Sequence, residues 1–317
     1  MAHITLRSGI VARRHTLAYL REWARLQARA LRHPRATGRW LALLNTNVAL
    51  NQLASSHPQL VRKIYRPYLS LTFSCQDRLR TLVAHYDLMA KKGLMPLILS
   101  AASQPVVLAG VRGKSGVPLE ISLLAVSPLD QEGELVLRLT HAGALVYSTA
   151  FSIVDEAGRS GRTVLIGCIQ GPNDRDALGR IREASRELHG LRPKNLLVAL
   201  VRQIGYDLGC RQMILIGNRN RAAHHSVRKG RVLADYDLLW REIGARARED
   251  GNFQIPCENL PPSLEMTAIP SRKRSQVRRR YELLQSIVAG IRCRLGVPQL
   301  PPASAETSER SGVTACS

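Results

Sequence analysis

The chain of 317 residues is 45% apolar, enough to bury a core, with room for one large domain or two smaller ones. Lysine and arginine number 46 against 24 aspartate and glutamate, and the formal charge of +22 attracts polyanions: nucleic acid, anionic lipid headgroups or acidic protein surfaces. No stretch reaches the roughly 18 to 20 apolar residues of a membrane span, no signal-peptide pattern follows the basic start, and the cysteines lack zinc-type spacing. These features predict a cytoplasmic protein with reduced thiols and no metal, soluble or at most peripheral at the inner membrane.

From Thr5 to Trp40 nine arginines face a single carboxylate, Glu22. Leu17, Leu20, Trp23, Ala24 and Leu31 recur near helical spacing, which predicts an amphipathic helix before a turn at His33 and Pro34. Its basic side reads either as a solvated face packed on the main domain or as a contact for polyanions or a membrane surface. Helices continue to Lys92, broken at Pro58 and Pro67. In "DRLRTLVAHYDLMAKKG", Leu79, Leu82, Val83, Tyr86 and Met89 share a face and Gly93 ends the helix. His85, beside that face, reads as a packed or hydrogen-bonded histidine.

After Pro96 the texture changes. "PVVLAGV", "PLEISLLAV", "ELVLRLTH" and "ALVYSTAFSIV" predict an antiparallel meander, and "RTVLIGCIQG" (162–171) a strand buried on both faces. Cys168 within it is an enclosed thiol and a poor nucleophile. "NDRDALGRIREASRELHG" predicts a helix capped by Asn173 or Asp174, and "RQMILIGN" (211–218) a second buried strand, parallel to the first. "ADYDLLWREIGA" (234–245) and "SRKRSQVRRRYELLQSIVAGIRCRLG" complete the helices. The predicted fold is α+β: a basic helical N-terminal region, residues 1–95, packed on a mixed, largely antiparallel sheet domain, residues 96–295, with a disordered tail, residues 296–317.

Cations are unfavourable at a helix N-terminus, yet "ELHGLRPKNLLVAL" places Arg192 and Lys194 there. With Asn195 and the free N–H groups of the turn shaped by Gly190 and Pro193, they form a candidate anion site; alternatively they pair with Glu183, Glu187 or Asp237. His189 is a candidate catalytic acid or base if His224 or His225 approaches it, and otherwise a structural or solvated histidine. Asp237, Trp240 and Arg241 either line a cleft opposite this turn or serve as structural polar, core and ion-pair residues. Arg272, Lys273, Arg274, Arg278, Arg279 and Arg280 form a candidate salt-sensitive polyanion patch, or a solvated helix face. Hydrolase, NTPase and dehydrogenase readings gain no support, because no Gly-x-Ser-x-Gly elbow, P-loop or Rossmann fingerprint is present.

"SRELHGLRPKNLLVAL", "IGCIQGPND", "DYDLLWREIG" and "AIPSRKRSQVRRRYELL" together resemble the VirK/YbjX family of bacterial proteins, over most of residues 40–295. The resemblance implies a Gram-negative cytoplasmic protein of unsettled biochemistry, linked to virulence, the cell envelope and stress response. A second resemblance, in the order of meander, strand, "RPKNLLVALVRQIGYDLGC", strand and "YDLLWREIGA", is to the later half of GNAT-type acyltransferases. It implies that Arg192, Lys194 and Asn195 stand where that fold holds the pyrophosphate of coenzyme A; an extra helix and the residues Pro193 and Lys194, where glycines are expected, depart from it. Two functions are therefore carried forward. One is an acyltransferase-like protein binding a phosphate-bearing anionic ligand, with coenzyme A or an acyl carrier as cofactor. The other is a noncatalytic factor whose basic helices meet an anionic lipid surface, a protein partner or nucleic acid.

Overall fold

A computed structural model of the chain describes residues 2–12, 16–155, 161–222, 234–260 and 269–297. The N-terminal part is helical: a 3-10 turn at Leu6–Gly9, then α1 (Leu17–Arg32), α2 (Pro34–Thr46), α3 (Val48–Ser56), α4 (Cys75–Lys91) and α5 (Met95–Ser103). Local chemistry sets several of these limits. Pro34 opens α2 at a position where its missing N–H costs nothing. Ser74 and Asp77 cap α4 reciprocally: Asp77 N donates to Ser74 Oγ (3.2 Å) and Ser74 N to Asp77 Oδ2 (3.0 Å). At its other end Gly93 takes φ +69°, and the N–H of Leu94 returns to the carbonyl of Met89 (2.8 Å).

The sheet has eight strands in the order β1-β2-β3-β4-β5-β6-β8-β7. β1 (Val106–Arg112), β2 (Pro118–Ala125), β3 (Leu135–His141), β4 (Ala144–Asp155) and β5 (Arg162–Gln170) form the expected antiparallel meander. The chain then crosses through α6 (Ala177–Glu187) and α7 (Pro193–Asp207) to β6 (Cys210–Leu215), which pairs with β5 in parallel. α8 (Tyr236–Glu242) leads to β7 (Arg246–Ala247) and β8 (Phe253–Pro256), and α9 (Ser271–Leu295) packs on β1. The architecture is α+β, as expected. One cap differs: the N-cap position of α6 is Asp176, whose side chain makes no cap bond, not Asn173 or Asp174. The Asp174 carboxylate is drawn into the preceding turn, accepting from Asp176 N (3.0 Å) and Arg180 (2.5 Å).

The β4–β5 register slips where Ala150 faces Cys168 but Phe151 faces Ile166, leaving Gly167 bulged. A Cβ at Gly167 would fall on the carbonyl oxygen of Glu132. Gly167→Ala is therefore expected to cost about 1–3 kcal/mol of stability, read as a lowered urea midpoint with an unchanged slope.

β3 begins opposite Phe151, so Ile153 lies beyond its reach. α4 supplies the missing partner, because His85 Nδ1 accepts from Ile153 N (3.2 Å). Around it the helical region and the sheet share a buried polar network. Lys63 Nζ lies 2.5 Å from Glu134 Oε1, Tyr86 donates to Glu134 Oε2 (2.6 Å), and Ser152 Oγ joins Glu134 N and the Tyr68 hydroxyl, each at 2.9 Å. Every group there has left water, so each depends on its partners.

Candidate functional site

The turn that opens α7 is partly neutralised from α8, one carboxylate serving two cations. Arg192 Nη1 and Lys194 Nζ both reach Glu242 Oε2, at 3.2 and 3.3 Å. Their partner is thus the last residue of α8 rather than Glu183, Glu187 or Asp237. Glu187 instead accepts from Ser115 N (2.8 Å), a bond that leads in holding its carboxyl below the ordinary range, and Asp237 accepts from Asn218 N (2.8 Å). The amide oxygen of Asn195 is buried without a hydrogen-bond partner among the described residues.

Trp240 lies in the core instead of lining a cleft. Its ring is fully buried and its N–H donates to the carbonyl of Ile216 (2.8 Å). Arg241 sits over the Phe253 ring at 5.6 Å, and Asp235 caps α8 by accepting from Leu238 N (3.1 Å). Beyond the bond from Ile216 N to Ile166 O, strands β5 and β6 part. Tyr236 enters there: its hydroxyl accepts from Ile169 N (2.9 Å), donates to Ile169 O (2.8 Å) and lies 3.3 Å from Cys168 Sγ. Arg221 stacks on the tyrosine ring at 3.7 Å. Burial pushes the Cys168 thiol up to about 12, so it stays protonated and unreactive.

His189 belongs to a different setting from Arg192. It ends α6 together with Gly190, both in the left-handed region at φ +53° and +83°. This turn presents the His189 carbonyl to α9, where it accepts from Gln276 Nε2 (2.9 Å) and Arg280 Nε (2.6 Å). Between the end of α6, the β1–β2 turn and the first turns of α9 lies a cleft of about 450 Å³ whose walls include Lys114, Arg186, His189, Arg272, Gln276 and Arg279. Among the described residues no carboxylate lines it, and the nearby Glu187, bonded to Ser115 N, acts on Lys114 and His189 from outside the walls. Arg272, Gln276 and Arg279 reach it together because they stand at helical spacing on one face of α9.

The basic run of α9 therefore divides its labour. Arg272 and Arg279 face the cleft, Arg280 holds the turn, and Arg274 donates to the carbonyl of Ile269 (2.9 Å). Lys273 and Arg278 do not line the cleft and are exposed, as Arg272 and Arg279 are too. Burial lowers the His189 pKa, and the charges of Arg279, Lys114 and Arg280 lower it further against the opposing pull of Glu187, which favours the neutral imidazole. His224 and His225 lie outside the described residues. Other clefts carry their own counter-charges: the one beside β8 sets Arg202 against Glu258 (2.7 Å), and the one under α4 includes Asp77 and Asp250. Among the described residues no His, Cys, Asp or Glu cluster could hold a metal ion, and no helix is long and apolar enough to cross a membrane.

Fold and cleft thus define an α+β protein with a concentrated basic recess on one flank of a mixed sheet. The chain belongs to the family described as Protein of unknown function (DUF535), which matches residues 15–292. It is similar to the uncharacterized protein YbjX of Escherichia coli (strain K12), 27% identical over 264 residues that cover 82% of this chain and 79% of that one. It is also similar to the membrane protein LapB of Mannheimia haemolytica, 25% identical over 170 residues, 53% of this chain and 70% of that one. Among solved structures, a cAMP-binding acyltransferase from Mycobacterium smegmatis matches at a TM-score of 0.28 and 11% identity. That match covers 65% of this chain and 64% of the other, under two thirds of its length.

Proposed function

We propose that the protein binds a phosphate-bearing anionic ligand in the cleft between α6 and α9. The observation that carries this reading is the convergence of Lys114, Arg186, Arg272 and Arg279 on one recess without a lining carboxylate. Arginines hold phosphate oxygens through paired N–H donors, and lysine adds a point charge. The neutral His189 imidazole gives a further donor, and a nearby phosphate dianion favours its protonation. Coenzyme A and the phosphopantetheine arm of an acyl carrier meet these requirements and are the ligands we put forward. Arg192 and Lys194, already shared by Glu242, rank behind the cleft as phosphate contacts.

The sign of the proton linkage gives a test. In the free protein the His189 pKa lies below 6.5, held there by burial and neighbouring cations. A bound phosphate offsets those cations and raises it, so the His189 share of the linkage takes up protons on binding over roughly the imidazole range, apart from the ligand phosphate's own titration. Imidazole NMR shifts of His189, titrated with and without inorganic phosphate and coenzyme A, are expected to show the upward displacement. An unmoved His189 titration at saturating ligand would refute the site.

For its setting we propose the cytoplasmic side of the bacterial inner membrane, as a peripheral protein. The family resemblance to envelope-linked proteins and the name of the LapB relative support this placement. Binding of a protein partner or nucleic acid through the same basic helices is the competing reading.

A further inference from the structure

α1 is amphipathic, but its apolar stripe does not face the protein. At the helical turn angle Leu17, Leu20, Ala24, Ala28 and Leu31 fall within an arc of about 80°. Leu17 is 85% exposed, Leu20 57% and Leu31 79%. The helix is held to the fold from the other side, by buried Leu26 and Ala30, and its start is set by Thr16, whose hydroxyl accepts from Tyr19 N (3.2 Å). The leucines are therefore surplus to its packing.

Next to this stripe stand Arg21 and Arg25, which with Arg29, Arg62, Arg66 and the buried Leu26 line a groove of about 460 Å³ that runs towards the packed side of the helix. Glu22 is the one carboxylate among the lining residues, and it pairs with Arg62. Arg66 is met by Asp130 at 3.6 Å. The patch thus combines solvent-facing leucines with arginines that exceed the acids beside them.

Two properties have to be met at once. Nucleic acid would answer the arginines and leave the leucines in water. An apolar protein groove would cover the leucines and strand the cations. A bilayer surface with anionic headgroups offers acyl chains and phosphates at the depths a surface helix samples. α9, with its basic run, exposes no large apolar side chain and lacks this combination.

We propose that α1 docks the protein on an anionic phospholipid bilayer, lying in the interface with Leu17, Leu20 and Leu31 among the acyl chains and the flanking Arg21 and Arg25 on lipid phosphates. The inference rests on the peripheral placement above and is separate from the ligand cleft. α1 then meets the membrane with the face opposite Leu26 and Ala30, so docking leaves the core undisturbed.

The test is co-sedimentation of the full chain with vesicles of phosphatidylcholine alone or mixed with phosphatidylglycerol. Binding to the mixed vesicles, weakened by salt and much lower on phosphatidylcholine, is expected. The triple variant Leu17→Ser, Leu20→Ser, Leu31→Ser should lower the partition at least about tenfold. Its melting temperature and its phosphate binding at the cleft should be unchanged. Arg21→Gln with Arg25→Gln should lower the partition by roughly tenfold or more. Wild-type binding to neither vesicle, equal binding to both, or a triple variant that binds like wild type would overturn the proposal. Vesicle binding lost in Arg272→Ala with Arg279→Ala but kept in the leucine variant would assign it to the cleft instead. Duplex DNA binding that depends on Arg21 and Arg25, with no vesicle binding, would make α1 a nucleic-acid contact.

Discussion

Replacing Lys63 by methionine is expected to remove about 3–5 kcal/mol of folding stability, because the change leaves a buried carboxylate without its counter-ion. Lys63 and Glu134 are 4% and 1% exposed, and 2.5 Å separates their charged atoms. Burial pushes the Glu134 carboxyl up, but Lys63, His85 and the hydrogen bond from Tyr86 outweigh it and hold the group below the ordinary range. Without Lys63, burial prevails and Glu134 must take up a proton or stay charged in an apolar setting. Pairing Lys63→Met with Glu134→Leu should recover much of the loss, since two apolar groups replace two ions that had both left water. Urea denaturation of the two single variants and the double variant measures this coupling. Singles that fall within about 1 kcal/mol of wild type would show that the pair is not what joins the helical region to the sheet.

The second large effect is on pH. Burial, opposed by Glu134 and reinforced by Lys63, lowers the His85 pKa to about 4 in the folded protein, against 6.5 for the free side chain. The fold therefore keeps His85 neutral, with Nδ1 free to accept from Ile153 N. Its folded pKa is depressed, so the associated stability is fully present above pH 6.5 and is lost as pH falls towards 4. The total is roughly 3 kcal/mol from the separation of the two values. Of the groups that face it, Glu134, Tyr68 and Tyr86 stay in their pH 7 forms over the upper part of this window, because both tyrosines lie well above 10 and Glu134 below its usual value. Chemical denaturation at pH 7, 6 and 5 should show the decline, and His85→Gln should flatten it. A wild-type stability that is level from pH 7 to 5 would contradict the neutral, bonded histidine.

Much of the fold was legible because its signals are local. The face of α4 from Leu79 to Met89, the cap at Gly93, and the two uniformly apolar strands need only neighbours along the chain. α1 shows where such signals stop. Periodicity identified the helix, but whether Leu17 and Leu31 or Leu26 and Ala30 face the protein depends on what α2 offers. The candidate site divided in the same way. His189 and the run from Arg272 to Arg280 each stood out, but their meeting depends on a left-handed turn that hands a carbonyl to Gln276 and Arg280 across a separation of 87 and 91 residues. Glu242 meets Arg192 from 50 residues away, and Lys114 arrives on a hairpin turn with no motif to mark it. Tyr236 and the Lys63–Glu134 pair were missed for the same reason. Long-range partners decide which charges remain available, and one sequence does not display them.

The cleft is most directly tested by calorimetric titration of the full chain with coenzyme A and with inorganic phosphate at low salt. The predicted result is binding that Arg272→Ala with Arg279→Ala weakens by about 10- to 100-fold, two charge-assisted contacts being lost. Arg192→Ala with Lys194→Ala should leave it nearly unchanged. Undiminished binding in the Arg272/Arg279 variant, or binding lost only in the Arg192/Lys194 variant, would move the site back to the mouth of α7 and contradict the cleft.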